Sequence, residues 1–130
     1  MKITTGRVFV HINDLGGRMW NPLVHWTVKY AVFVELETDN GLIGLGECWC
    51  FDIKPDSLVA FLKTEVLPHV MGVEVEKLPT IQNALRTRAI LTARRGILAS
   101  ALSGIDIAMW DLRAQAAGIP LWKFLNPQAS

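Results

Sequence analysis

The sequence predicts an α+β fold, a three-stranded antiparallel β-meander followed by a bundle of three to four helices. Three observations carry that prediction. Val28, Tyr30, Val32, Val34 and Leu36 alternate with Lys29, Ala31, Phe33, Glu35 and Glu37, the period of a half-buried strand. Asp39-Asn40-Gly41 follows at once, and Asn and Gly tolerate the positive φ that a tight hairpin needs. Further on the period changes: Leu98, Leu102, Ile105, Met109, Leu112 and Ala116 recur at spacings of four and three, one face of a helix. Strands first and helices afterwards give layers of sheet and helix rather than an alternating β/α fold.

Each element follows in order. Ile3 to Val10 is rich in β-branched residues and reads as the first strand. His11 to His25 is polar and Gly-rich and reads as a long loop, a type of segment that usually carries function. The second strand runs from Trp26 or Thr27 to Thr38, and the third from Leu42 to Cys48. Gly44 and Gly46 thin the third strand and point to a bulge or to a second backbone close by. Asp56 or Ser57 caps a helix that reaches about Val70, irregular near Pro68 and stopped by Gly72. Leu78, Ile81, Leu85 and Ala89 mark a second helix from about Lys77 to Arg88. The long helix starts near Thr92 and ends at Gly118 with Pro120 behind it, about 38 Å at ~1.5 Å per residue. Gly104 inside it costs about 1 kcal/mol relative to Ala, and close approach of another backbone is the expected compensation. Asp106, Trp110 and Arg113 are spaced a turn apart; a structural ion pair is the favoured reading and a polar site the other. Pro120 to Leu125 forms a last short turn, with Pro at its first helical position.

Composition narrows the classes. A chain of 130 residues makes one domain able to bury about two thirds of its unfolded surface. The hydrophobic share is 51% with five Trp, so an apolar face left open, and hence self-association as a homo-oligomer, is expected. A net charge of +1 provides no field for nucleic acid or for an anionic membrane. Arg86, Arg88, Arg94 and Arg95 cluster at a helix connection and read as solvated surface or interface rim. The most apolar run, Val28 to Leu36, contains Lys29 and Glu35 and is too short to span a bilayer. No signal-peptide core opens the chain, so a cytoplasmic location is expected. Cys48 and Cys50 suit neither a disulfide nor, without further ligands, a zinc site; they read as reduced thiols. No Ser-His-Asp set, phosphate-cradling loop or nucleotide fingerprint is present.

Two motifs carry a family resemblance. Glu37-Thr-Asp-Asn-Gly-Leu-Ile-Gly-Leu-Gly-Glu-Cys48 is a hairpin ending in Gly-x-Gly-Glu. Ala101-Leu-Ser-Gly-Ile-Asp-Ile-Ala-Met-Trp-Asp-Leu-Arg-Ala-Gln-Ala-Ala-Gly-Ile-Pro-Leu-Trp-Lys-Phe-Leu125 is a long helix and its exit. In this order the chain resembles the N-terminal capping domain of the enolase superfamily, in its mandelate racemase/muconate-lactonizing branch. Two departures stand out: Ala114-Gln115 where the family commonly has Gly-Lys, and Asn126-Pro127 where it has a double glycine. The family's (β/α) barrel needs about 250 residues and does not follow here. The resemblance thus implies a capping domain over 1–125 and, over 126–130, a truncated tail where the barrel would begin.

The chemistry implied by the resemblance belongs to that barrel. There Mg²⁺ holds a substrate carboxylate while a Lys or His base removes the α-proton. No catalytic residue and no metal ligand carries over to this chain; Glu47 alone is a poor metal site. What carries over is a lid of two loops that shapes the substrate pocket and excludes water. The first loop maps to Gly16–His25, with Met19, Trp20, Asn21 and His25 as substrate-binding candidates. The second maps to Glu47–Asp52, with Glu47 and Trp49 as candidates. The alternative for Trp20 and Trp49 is packing of the loops onto the sheet, and for His25 a hydrogen-bonded structural role. His11 and His69 read as structural or solvated. The implied partners are a small carboxylate of sugar-acid type and the barrel. Two functions therefore compete: the cap of a Mg²⁺-dependent dehydratase or racemase, inactive alone, or a free-standing, non-catalytic oligomerisation or interaction module.

Overall fold

The computed structural model describes residues 1–50, 54–89 and 96–128. Three antiparallel strands, β1 (Ile3–Trp20), β2 (His25–Thr38) and β3 (Ile43–Cys48), lie in the order β1-β2-β3, and helices follow. This is the α+β meander-and-bundle that the pattern predicts. The expected alternation in β2 holds: Val32, Val34 and Leu36 are fully buried.

The largest difference from expectation lies in β1. Residues 11–20 do not form a loop but continue the strand in register with β2, His11 opposite Ala31 and Trp20 opposite His25. Gly, Asn and Asp weaken a strand as an isolated propensity, but a β-branched partner strand overrides them through its ladder. The true connection shrinks to residues 21–24.

The helical half begins with α1 (Asp56–Phe61), a π-helical turn (Leu62–Val66) and α2 (Leu67–Val70). Asp56 is the first helical residue rather than the cap; Pro55 holds that position with no side-chain bond. The widened turn directly precedes Pro68. Its ring offers no N–H to the carbonyl four residues back and crowds it, so the irregularity falls one turn earlier than expected. A 3₁₀ turn (Val75–Lys77) leads into α3 (Leu78–Arg88).

The long helix, α4, runs from Ile97 to Ala116. The start expected near Thr92 lies outside the described residues, and among them helix begins only after Gly96, whose φ of +78° is not helical. The predicted stop is present: Gly118 at φ +69° donates to Gln115 O, and Ile119 N–H donates to Ala114 O, closing the last turn. Pro120 caps α5 (Leu121–Leu125) from outside rather than opening it.

Two faces of α4 are buried. Leu98, Leu102, Ile105, Met109 and Leu112 form the predicted apolar stripe, while Ala116, also assigned to it, is exposed past the end of the bundle. The second face, Ala101, Gly104 and Ala108, lies directly on β3. A Cβ built on Gly46 collides with Gly104 O and comes 2.8 Å from Ala108 N; one on Gly104 collides with Cys48 Sγ. The close approach expected of Gly104 and of the β3 glycines is thus a single helix–strand contact. Asp111 and Gln115 complete it from the side. Leu45 N–H donates to Asp111 Oδ2 at 3.0 Å, and Gln115 Nε2 donates to Ile43 O at 2.8 Å, which satisfies groups on the free edge of β3.

Asp106 and Arg113 form no ion pair with each other. The Arg113 guanidinium instead lies 4.4 Å from the Trp110 ring centre and 5.8 Å from that of Phe124, which ties α5 to α4. Seven positions separate Asp106 from Arg113, whereas Trp110 is one turn away and reachable. Among the described residues no helix is long and apolar enough to cross a membrane. Arg86 and Arg88 are exposed at the end of α3; Arg94 and Arg95 lie outside the described residues.

Candidate functional site

β3 ends opposite Val32, so beyond that point β1 and β2 continue as a two-stranded arm. Partway along it residues 15–18 of β1 stand opposite Thr27 alone, between the pairs Asp14–Val28 and Met19–Trp26. Gly16 and Gly17 make this wide bulge possible at φ +55° and +66°. Side chains pin it. Asp14 Oδ1 accepts from Gly16 N–H at 2.8 Å, and His25 Nε2 donates to Gly17 O at 2.6 Å. Where His25 had two readings, ligand contact or structural hydrogen bond, this contact supplies the second and leaves the other ring nitrogen uncommitted to it. At the tip, Asn21 Oδ1 accepts from Leu23 N–H and Val24 N–H at 2.8 and 2.9 Å, holding the turn.

The bulge folds the arm around a cleft of about 290 Å³. Leu15, Met19, Val24, His25 and Tyr30 line it from the arm, and Cys50 and Lys54 line it from the segment after β3. The two segments singled out as lid loops therefore share one cavity. Its volume is near the lower end of small-molecule pockets, roughly 300–1,000 Å³. Lys29 borders it from the opposite side of β2; strand alternation places that ammonium with the outer face. No Asp or Glu is among the described lining residues, so the cleft is cationic.

Of the six candidates from sequence, Met19 and His25 line the cleft. Asn21 holds the tip, Trp20 is 70% exposed beside it, and Trp49 is 69% exposed at the end of β3. Glu47 stands opposite Phe33 on the sheet face away from the helices and is exposed. Phe51 and Asp52, also within the second loop, lie outside the described residues. Cys50 belongs to the second loop read from the sequence, whereas Leu15, Val24, Tyr30 and Lys54 were not singled out there. The bulge and register of the arm bring Leu15 and Tyr30 to the cleft, and only a correct strand assignment for 11–20 could have found these two; Val24 reaches it from the connection 21–24.

The thiols differ. Cys48 is fully buried beneath Gly104, and burial pushes its pKa up to about 12; Cys50 is half-buried and shifted in the same direction by the same cause. Neither is in a disulfide. Among the described residues no group of three or more His, Cys, Asp or Glu is assembled that could hold a metal ion. These residues do not fit a divalent cation, which calls for several converging oxygen ligands.

Comparison with known proteins gives the same outline. Residues 23–126 match the family model described as mandelate racemase/muconate lactonizing enzyme, N-terminal domain. Over 127 residues, 97% of this chain, it is 32% identical to a D-mannonate dehydratase from Rhizorhabdus wittichii, covering 27% of that protein. It is likewise 32% identical over 127 residues to a D-galactarolactone cycloisomerase from Agrobacterium fabrum, covering 32% of that protein. A solved racemase from Streptomyces coelicolor A3(2) with bound magnesium superposes with a TM-score of 0.86 at 24% identity, over 95% of this chain and 35% of the other. The chain thus spans about a quarter to a third of the length of the relatives it matches.

Proposed function

Because this chain belongs to the mandelate racemase/muconate lactonizing enzyme N-terminal domain family of the enolase superfamily, we propose that it is the capping domain of a sugar-acid dehydratase or cycloisomerase. On this reading residues 1–125 form the cap and 126–130 lead into a barrel. Mg²⁺ and the base that removes the proton α to the carboxylate belong to that barrel. The cap contributes a lid: the arm and the segment after β3 close over the barrel mouth, exclude water and select the substrate.

The observation that carries the reading is the cleft between those two segments. It has a bulge that sets its shape, apolar walls from Leu15, Met19 and Val24, and polar groups from His25, Tyr30 and Lys54. A cationic cleft with no acidic group among its described lining residues favours an anionic, hydroxylated ligand such as a sugar acid.

The test is reconstitution. The chain is purified alone and fused to the remaining part of the Rhizorhabdus wittichii D-mannonate dehydratase, and both are assayed with Mg²⁺ on mannonate, galactonate and arabinonate. The expected result is turnover by the fusion only. Within the fusion, Lys54→Ala raises KM roughly tenfold through loss of a charge-assisted contact, with a smaller change in kcat. Turnover by the chain alone overturns the reading. So does a folded fusion that never turns over, which favours a free-standing interaction module instead.

A further inference from the structure

We propose that the outer face of the sheet is a self-association surface, on which a second copy of this chain docks about a two-fold axis lying across the strands at the Phe9–Phe33 row. The helices cover only the inner face. On the outer one Phe9 and Phe33 stack at 5.4 Å with their planes 22° apart, and Phe9, Ile43 and Leu45 remain 43–44% exposed. Aromatic residues in the middle of an uncovered sheet face are the composition of an interface centre rather than of a solvated surface.

Charge decides what covers it. One end of the face is acidic: among the described residues Glu35 and Glu37 share one cation, Arg7, and this leaves a negative surplus. The other end carries Lys29, which joins no ion pair among the described residues. Along β2, Glu37 and Lys29 each lie four residues from Phe33, about 14 Å at ~3.4 Å per residue. A two-fold axis through the aromatic row therefore places Lys29 of each copy over Glu37 of the other, Phe33 over Phe33 and Phe9 over Phe9. Arg7 falls over His11 of the other copy, with no carboxylate or ammonium facing it. One like-charge pair opposes the arrangement. Glu47 is in the Phe33 row on β3 and falls opposite its own copy at the rim. The face is thus self-complementary apart from that pair, which fits a second copy better than a partner of uniform charge.

The inference requires no substrate, and of the charged residues it uses, only Lys29 borders the cleft, with its ammonium on the outer face by strand alternation. Sedimentation velocity of the 130-residue chain, from low-micromolar to sub-millimolar concentration, is expected to show reversible dimerisation. Lys29→Glu and Glu37→Lys each raise the dissociation constant about tenfold or more, and the double exchange Lys29→Glu/Glu37→Lys restores it. Glu47→Gln tightens the dimer. Circular dichroism and thermal melts establish that each variant is folded. A chain that stays monomeric throughout overturns the proposal. So does a dimer indifferent to both charge reversals, or a folded double exchange that fails to recover.

Discussion

At the scale of single residues, two glycines set the spacing of helix and sheet. Gly104 in α4 and Gly46 in β3 have no room for a Cβ, because each lies against the other element's main chain or against Cys48. In an open helix Gly→Ala gains about 1 kcal/mol. Here Gly104→Ala is expected to lose roughly 1–3 kcal/mol, since overpacking outweighs the propensity gain. Urea denaturation measures it; a stabilised Gly104→Ala variant would show that the contact is slack. Cys48 makes a second prediction. Its thiol has an ordinary pKa of 9.0 and is held near 12 by burial. Between those values the unfolded chain binds fewer protons than the folded one, so stability falls as pH rises above about 9, with a slope approaching ~1.4 kcal/mol per pH unit. Denaturation at pH 8 and pH 10 should show a larger loss for the wild type than for Cys48→Ala. Equal losses would place the thiol in a solvated site. In the same state Cys50 reacts with a thiol reagent first, and Cys48 only as the chain opens.

At the scale of elements, the arm and the β3 edge behave oppositely. The arm beyond Val32 has two strands, a wide bulge and exposed Ile12, Trp20 and Leu23. A two-stranded ribbon is marginal in water without further support. Amide hydrogen exchange is therefore expected to be fast over 12–20 and 25–30 and slow over 32–38, where β3 and α4 cover the ladder. Uniform protection along β2 would argue against an arm able to open and close. The β3 edge is closed by Asp111 and Gln115. Removing either side chain costs about 0.5–1.5 kcal/mol and uncovers edge groups, so Asp111→Ala/Gln115→Ala should aggregate faster on partial denaturation, as light scattering would record. Gln115 also gives meaning to a departure from the family pattern, a lysine site here filled by an amide that bonds a strand carbonyl.

At the scale of the molecule, sheet, helices and arm make two different surfaces. The inner end of the arm and the segment after β3 share a cationic cleft; the outer sheet face is aromatic at its centre and charged at its ends. The proposed lid and the proposed dimer therefore use different faces of one sheet and approach each other at Lys29, which borders the cleft. The fusion carrying Glu37→Lys tests this arrangement: its oligomeric state should change while its turnover number stays within about twofold, an effect under ~0.5 kcal/mol on the barrier. Loss of turnover in step with loss of the dimer would mean that the two surfaces are coupled.

The residue pattern established the meander, the helical layer, the buried stripe of α4 and the stop at Gly118, because period, turn residues and helix punctuation are local signals. It also carried the family, through the Gly-x-Gly-Glu hairpin and the long helix. It misread 11–20 as a loop, since strand formation there comes from pairing with β2 and not from the residues' own preference. It assigned Arg113 to Asp106 although two aromatic rings lie within closer reach. The cleft was legible only in part: Met19 and His25 were found from the resemblance, whereas Tyr30 and Lys54 belong to it by register and by the path of the chain after β3. Which face of α4 meets β3, how deep Cys48 sits and where the charges of the outer face fall relative to its aromatic row were decided by tertiary structure alone. Each depends on a distance between residues far apart in the chain, which no local pattern encodes.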